Sequence, residues 1–332
     1  MPLSMSVDAV FKALADPTRL RILRLLGAME LAVGELAQVL GQSQPRVSRH
    51  VGILCDAGLA ERRREGSWAF LRATGGAETG SPLPDAVSRL LAIAEREDAD
   101  FAMQCQADRR ELSAIRAARE EAAQGYFARH AEEWDELRRL HSPDRIVEDA
   151  LIAALGDAPL GQLLDIGTGT GRMAELFAGQ ADGVVALDKS LDMLRLARAK
   201  LQHLPADQVE LVQGDFTSLP FAAQQFDTVL LHQVLHFAQD PALALAEASR
   251  VTRSGGRIVI VDFAAHDHEE LRERHAHARL GFSDRQVKAL LRDAGFAARA
   301  PVALNGGELV VKIWIGQRRD AAPVDTLKEK RA

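Results

Sequence analysis

Only two cysteines, Cys55 and Cys105, occur in the 332 residues. Two thiols so far apart give no disulfide framework, which fits a reducing compartment and makes the cytoplasm the expected location. No run of about 18 apolar residues is present, and no basic stretch followed by an apolar one opens the chain. Neither a membrane span nor a secretory leader is therefore expected. Glycine and proline are both missing from Asp85 to Gln124. A stretch without breakers, with Val87, Leu90, Leu91 and Ala94 on one face, predicts a long helix or a helix pair that packs against a partner. No internal repeat is found.

What is present is ordinary in amount, with 47% apolar and 27% charged residues, and the length suits roughly two domains, each large enough to bury a core. The charge is unevenly placed. Residues 1–72 hold ten Lys/Arg against seven Asp/Glu, a balance of +3 within a chain total of −6, which leaves −9 for the remainder. A mildly basic front on an acidic body suits a protein whose front alone meets a polyanion, although ordinary solvated surface also accounts for so small an excess.

Residues 7–28 carry apolar positions at helical spacing (Val10, Leu14, then Leu20, Leu23, Leu26) interrupted at Asp16-Pro17, which predicts two helices. A short helix over 35–40, a turn at Gly41-Gln42, and an N-cap at Ser43 with Pro45 in the first turn lead into a helix from Gln44 to Ala57, closed by Gly58. The run LAERRREGSWAFLRA at 59–73 alternates around Arg64-Glu65-Gly66-Ser67, a hairpin pattern. Helices followed by such a hairpin predict a winged helix-turn-helix. Its second helix presents Ser43, Gln44, Arg46, Ser48, Arg49 and His50 in the turns that reach base edges and phosphates, with Arg62, Arg63 and Arg64 on the hairpin toward the flanking backbone.

The stretches ALADPTRLRILRLL (13–26) and SQPRVSRHVGILCDAGLAERRREG (43–66) resemble the arsenic-repressor (ArsR/SmtB) family of winged-helix regulators over about 70 residues. The resemblance implies a homodimer on double-stranded operator DNA. Family members that sense metal or arsenite carry two cysteines in the segment matching ELAVGEL at 30–36, where this chain has Ala32 and Gly34. Those side chains offer no ligand atoms, so no metal is expected at that site. Cys55 falls on the apolar half of its helix and is expected as a small buried hydrophobe.

After the Gly/Pro-rich stretch 75–84 and the breaker-free segment, strand-like runs (LLDI, GVVAL, VELV, TVLL, RIVIVDF) alternate with helix-like ones from Gly125 onward, predicting a doubly wound parallel sheet. LLDIGTGTGRM at 163–173 is a strand, a glycine turn and a helix start, and Asp188 ends the next strand 19 residues after Gly169. That spacing suits a nucleoside cofactor gripped by its ribose. The loop also satisfies G-x-G-x-x-A from Gly169, so a nicotinamide dinucleotide is an alternative. Three features oppose it: Asp165 inside the strand end, Gly214-Asp215-Phe216 after a third strand, and a terminal hairpin pattern of 297–304 and 308–315 around Asn305-Gly306-Gly307.

With YFARHAEEWDELRRLH (126–141), FDTVLLHQVLHF (226–237), RSGGRIVIVDF (253–263) and GFSDRQVKALLRDAGF (281–296), these motifs resemble class I S-adenosylmethionine-dependent methyltransferases, nearest the ubiquinone-biosynthesis-like group. The resemblance implies a Rossmann-like domain with a mixed seven-stranded sheet. It implies S-adenosylmethionine as cofactor, with S-adenosylhomocysteine as product or signal, and a small-molecule methyl acceptor. Asp165, Gly167, Gly169 and Gly171 would hold the methionine moiety, Asp188 the ribose, and Asp215 with Phe216 the adenine. Lys189 and Met193 would line the same site, and His232 and Gln233 the sulfonium side. His232 and His236, four apart and read as one helical face, are the candidate general bases. His266, His268, His275 and His277 form two H-x-H pairs, read as surface or pocket-lining rather than metal-binding. Residues 125–332 contain no cysteine, which excludes arsenite methylation.

The sequence thus predicts an α/β chain: a winged helix-turn-helix at 1–74, a linker at 75–84, a helical connector and dimerisation segment at 85–124, a methyltransferase domain at 125–319, and a disordered tail at 320–332. Two functions follow. Either the rear domain methylates a small molecule, tunes DNA binding, or does both, or it is an inactive sensor of S-adenosylmethionine or S-adenosylhomocysteine in a pure repressor.

Overall fold

Proline has a fixed φ and no N–H, so it stands at the first position of a helix and ends whatever precedes it. In the computed structural model, which describes residues 6–65, 68–75, 81–134, 144–205, 207–305 and 307–319, α1 (Val7–Leu14) stops before Asp16-Pro17 and α2 (Pro17–Leu26) starts on it. The Asp16 carboxylate accepts the Arg19 N–H at 3.1 Å and caps α2. Residues 66–67, 135–143 and 306, part of the predicted linker (76–80) and the predicted tail (320–332) lie outside the described residues.

The chain divides into two compact units between Ala123 and Gln124, and the short segment Asp267–Arg274 belongs with the first. In that unit β1 (Leu31–Ala32), α3 (Val33–Val39) and α4 (Gln44–Asp56) precede an antiparallel hairpin of β2 (Ala60–Glu65) and β3 (Trp68–Ala73). The sheet order is β1-β3-β2. Apolar residues spaced along α2, α3 and α4 converge, and Ile22, Leu36, Val47, Val51, Leu54 and Leu71 lose all exposure. The breaker-free segment is a helix pair, α5 (Leu83–Glu97) and α6 (Ala99–His130). Asp98 separates them in an extended conformation and its carboxylate accepts the N–H groups of Asp100 and Phe101, each at 3.0 Å. α6 continues through Gly125 to His130, carried by i→i−4 bonding. Glycine weakens a helix interior by about 1 kcal/mol relative to alanine, too little to break so long a helix.

The second unit contains α7 (Asp144–Leu155), β4 (Gln162–Ile166), α8 (Arg172–Phe177), β5 (Gly183–Asp188), α9 (Leu191–Leu201), β6 (Val209–Gln213) and β7 (Phe226–His232). There follow α10 (Pro241–Val251), β8 (Thr252–Phe263), α11 (Glu269–Arg274, in the first unit), α12 (Asp284–Asp293), β9 (Phe296–Ala298), β10 (Val302–Leu304) and β11 (Val311–Arg318). Seven strands run in the order β10-β11-β8-β7-β4-β5-β6, with β9 added on β11. β4 to β8 pair in parallel, whereas β11 is antiparallel to β8, β9 and β10. The predicted run 297–304 is therefore two short strands. Pro301 lies between them and has no N–H to give the ladder.

The central strands β4, β7 and the latter part of β8 are buried on both faces, which is why they read as continuous apolar runs. Chain order reverses at β4, between β5 and β7, so the crevice beyond its carboxyl end is the switch point where such folds bind ligands.

Candidate functional site

The glycine turn occupies that crevice. Gly167, Gly169 and Gly171 have φ of 71°, 55° and 85°, a left-handed region where a side chain is strained. The N–H groups of Gly167 and Thr168 donate to Leu187 O at 2.8 and 2.9 Å. A Cβ on Gly167 would overlap Val234, and on Gly171 would press on Ala197 and Leu201. Asp188 accepts from Gly169 N at 2.8 Å through one oxygen and from Ser190 N at 2.8 Å through the other. Burial pushes its carboxyl above the ordinary range, against the pull of the Ser190 and Gly169 donors. A carboxylate has about four acceptor sites, and the backbone donors of Gly169, Ser190 and Lys189 leave part of that capacity for a ribose hydroxyl, while the side-chain-free glycine cradle fits a nucleoside donor.

Asp215 behaves differently. Lys189 Nζ stands 2.7 Å from it, and Thr217 donates its N–H at 2.8 Å and its hydroxyl at 2.6 Å. Burial raises this carboxyl, but Lys189 and Thr217 outweigh it and leave it below the usual value. Lys189 is thus tied to Asp215. Asp165 is buried in β4, Met193 is buried on α9, and Phe216 packs half-exposed against the core. Gln233 takes a left-handed φ of 51° while its N–H donates to Val261 O at 2.7 Å. A non-glycine residue held there carries backbone strain, a feature that clusters at ligand sites.

His232 and His236 do not share a helical face. His232 ends β7, one residue past the expected run TVLL, and His236 sits in the 3₁₀ turn Leu235–Phe237. The turn buries His236, with its Nδ1 2.8 Å from Asp262 Oδ1 and its N–H donating to Asp262 Oδ2 at 3.1 Å. His277 stacks on the His236 ring at 4.1 Å. Phe237, Phe127 and Trp134 continue as edge-to-face or tilted pairs, and Trp134 lies beside Gly169. An aromatic wall therefore joins the glycine turn to the His-Asp pair. His275 Nδ1 meets the Tyr126 hydroxyl at 2.8 Å, while His268 is exposed beside Glu270. Asp262 and Trp134 were not singled out in the sequence, and His277 was read there only as a surface or pocket-lining residue. Asp262 lies one residue before the end of β8, the last parallel strand, and is fully buried.

In the first unit, Ser43, Gln44, Arg46 and Arg49 are exposed on α4 and Ser48 is half-exposed. His50 is turned away, its Nδ1 3.7 Å from Asp16 Oδ1 and its side chain mostly covered. On β2 the pleat sends Arg62 and Arg64 outward and Arg63 to the opposite face. Arg63 is held between Glu30 at 3.2 Å and Glu65 at 2.7 Å, over the Phe70 ring. A guanidinium so committed holds the hairpin together and is not a spare phosphate contact. Cys55 is half-buried and Cys105 buried, and desolvation pushes both thiols up, which makes them poor ligands and nucleophiles.

Two family models match the chain: one described as a helix-turn-helix domain at 14–63, the other as a methyltransferase domain at 164–260. The demethylmenaquinone methyltransferase of Renibacterium salmoninarum is 37% identical over 114 residues, covering 34% of this chain and 46% of that one. The ubiquinone/menaquinone biosynthesis C-methyltransferase of Syntrophotalea carbinolica is 38% identical over 144 residues, covering 42% and 60%. An uncharacterized 37.1 kDa protein of transposon TN4556 from Streptomyces fradiae is 34% identical over 172 residues, covering 48% and 49%. The chain thus spans about half the length of the curated relatives it matches. A chain from the complex of the Haloferax volcanii Trm112 methyltransferase activator with a methyltransferase superposes with a TM-score of 0.52 at 18% identity, over 60% of this chain and 99% of that one, a likeness of fold. No helix among the described residues is long and apolar enough to cross a membrane. The chain joins an ArsR-type helix-turn-helix domain to a class I S-adenosylmethionine-dependent methyltransferase domain.

Proposed function

We propose that the protein is a dimeric DNA-binding regulator whose rear unit methylates a small nucleophile, with the bound cofactor or its product tuning DNA affinity. The observation that carries the catalytic half is the buried Asp262–His236 pair at the sheet end that also holds the glycine turn. S-adenosylmethionine, when bound, supplies an electrophilic methyl on a sulfonium. Gly167, Gly169, Gly171 and Asp165 cradle the amino-acid part, Asp188 takes the ribose hydroxyls, and Asp215 with Phe216 takes the adenine. His232 and Gln233 line the reacting side, with Lys189 and Met193 supporting the cradle. Asp262 accepts the Nδ1–H of His236, a tautomer that leaves Nε2 to take the proton of an O–H or N–H acceptor. The aromatic wall excludes water and orients an acceptor, and placement in line with the methyl supplies much of the rate.

The near-complete burial of His236 favours a second reading, in which the pocket senses cofactor without turnover. Calorimetry on the full chain with S-adenosylmethionine, S-adenosylhomocysteine and NADH tests the common part. Binding of NADH alone overturns it. Labelled methyl transfer to a small-molecule cell extract, lost in His236→Asn while cofactor affinity holds, separates enzyme from sensor.

A further inference from the structure

The first unit contains a cavity of about 640 Å³ lined by α3, the start of α4, the hairpin and α6, within the range of roughly 300–1,000 Å³ typical of small-ligand sites. Ala32 and Gly34, where a thiolate site would need ligand atoms, form part of its wall. Among the described residues no group of three or more His, Cys, Asp or Glu could hold a metal ion. The walls have a different chemistry. Ala32, Val33, Ala37 and Ala69 give a small-residue apolar surface, and Arg62 and Arg119 are set against a single carboxylate, Glu35.

That carboxylate is already satisfied. It accepts the Ala32 N–H at 2.8 Å and pairs with Arg119 at 3.1 Å and Arg116 at 3.4 Å. Arg119 spends one further donor on Gln38 at 3.4 Å, which leaves N–H groups of its five-donor fork to spare. Arg62 is exposed. The cavity is therefore electropositive. It also contains an orphan acceptor: Gln42 Oε1 is buried without a hydrogen-bond partner, an unfavourable state for a polar atom.

We infer that this cavity binds a small organic oxyanion, a carboxylate on an apolar body that also carries a hydroxyl or amine donor. The carboxylate meets Arg62 and Arg119, the apolar body covers the alanine and valine walls, and the donor satisfies Gln42. Gln44, Ser48 and Arg62 belong both to the cavity and to the proposed DNA face. An occupant takes those groups away from DNA and acts as an inducer. The binding claim stands apart from the proposed function, while the competition rests on its DNA-reading half.

The probe is 1-hydroxy-2-naphthoate, titrated calorimetrically into the full chain with neutral 2-naphthalenemethanol as control. Two variants locate the site. Gly34→Leu fills the cavity, since a Cβ there meets only the mobile end of Gln44 at 3.2 Å, and Arg119→Gln removes charge outside the DNA face. The naphthoate is expected to bind at least about 10-fold tighter than the alcohol and to lose about 10-fold or more in each variant, with melting temperatures preserved. At saturation it should weaken duplex binding about 5-fold or more. No naphthoate binding at about 1 mM, or equal binding by the alcohol or by both variants, overturns the site. Unchanged duplex affinity at saturation overturns the inducer role. Naphthoate binding in a chain that binds no duplex sinks the DNA reading and leaves the site standing.

Discussion

Asp188 shows how one side chain serves the apo fold and the ligand in turn. It anchors the glycine turn through Gly169 and the start of α9 through Ser190, so its loss removes a ligand contact and loosens the cradle. Asp188→Ala should weaken S-adenosylmethionine binding by about 1.5–3 kcal/mol, the range for hydrogen bonds to charged groups, read by calorimetry. Gly167→Ala should abolish binding and lower the melting temperature, because the new Cβ overlaps Val234 at a left-handed φ. Unaltered binding in that variant would place the cofactor elsewhere. In the first unit, Glu95 bonds Arg109 and, at 2.8 Å, Arg24. Arg109 first, against a desolvation penalty and with help from Arg24, holds the Glu95 carboxyl below its usual value. A depressed folded-state pKa contributes stability above the unfolded value near ~4.3 and loses it as pH falls through the folded value. Glu95→Gln should therefore cost about 1 kcal/mol at neutral pH, discounted for the exposure of Arg109, and the difference should vanish in acid. A gap in melting temperature that persists at low pH would assign the effect to packing.

Among the elements, α4 and β2 divide their labour by geometry. The exposed turns of α4 carry Arg46 and Arg49, and β2 offers Arg62 and Arg64 on one face and Arg63 on the other. Arg46→Ala and Arg49→Ala should each weaken duplex binding and, where the contact is a phosphate, reduce the salt slope by about 1. Arg63→Ala should instead lower thermal stability, since it removes the guanidinium that bridges the mostly covered Glu30 and Glu65, although Glu65 keeps Arg272. Equal loss of DNA affinity in a stable Arg63→Ala protein would reverse that division.

At the scale of the whole molecule, α6 carries the chain from one compact unit to the other without interruption. A coupling between cofactor and DNA requires that the ligand bind two conformations with different affinity. Operator binding by the full-length protein, at fixed salt, should change roughly 5- to 150-fold on saturation with S-adenosylhomocysteine or S-adenosylmethionine. No change with either ligand would make the rear unit a passenger enzyme.

The sequence by itself determined the elements whose signals are local. Asp16-Pro17, the Arg64–Ser67 alternation, the glycine turn and the 19-residue step to Asp188 are written in consecutive residues, and the central parallel strands announced themselves by double-sided burial. The tertiary structure decided what depends on contacts across the chain. Asp262 reaches His236 over 26 residues through the pairing of β7 with β8, and His277 arrives from beyond α11 to stack on it. Strand register, invisible in a three-arginine run, turned Arg63 inward. The cavity behind Ala32 and Gly34 needs Arg119, 84 residues from Glu35. Periodicity fixes which way a side chain faces within its own element. Which distant group it meets is settled only when burial of the remaining surface selects one packing.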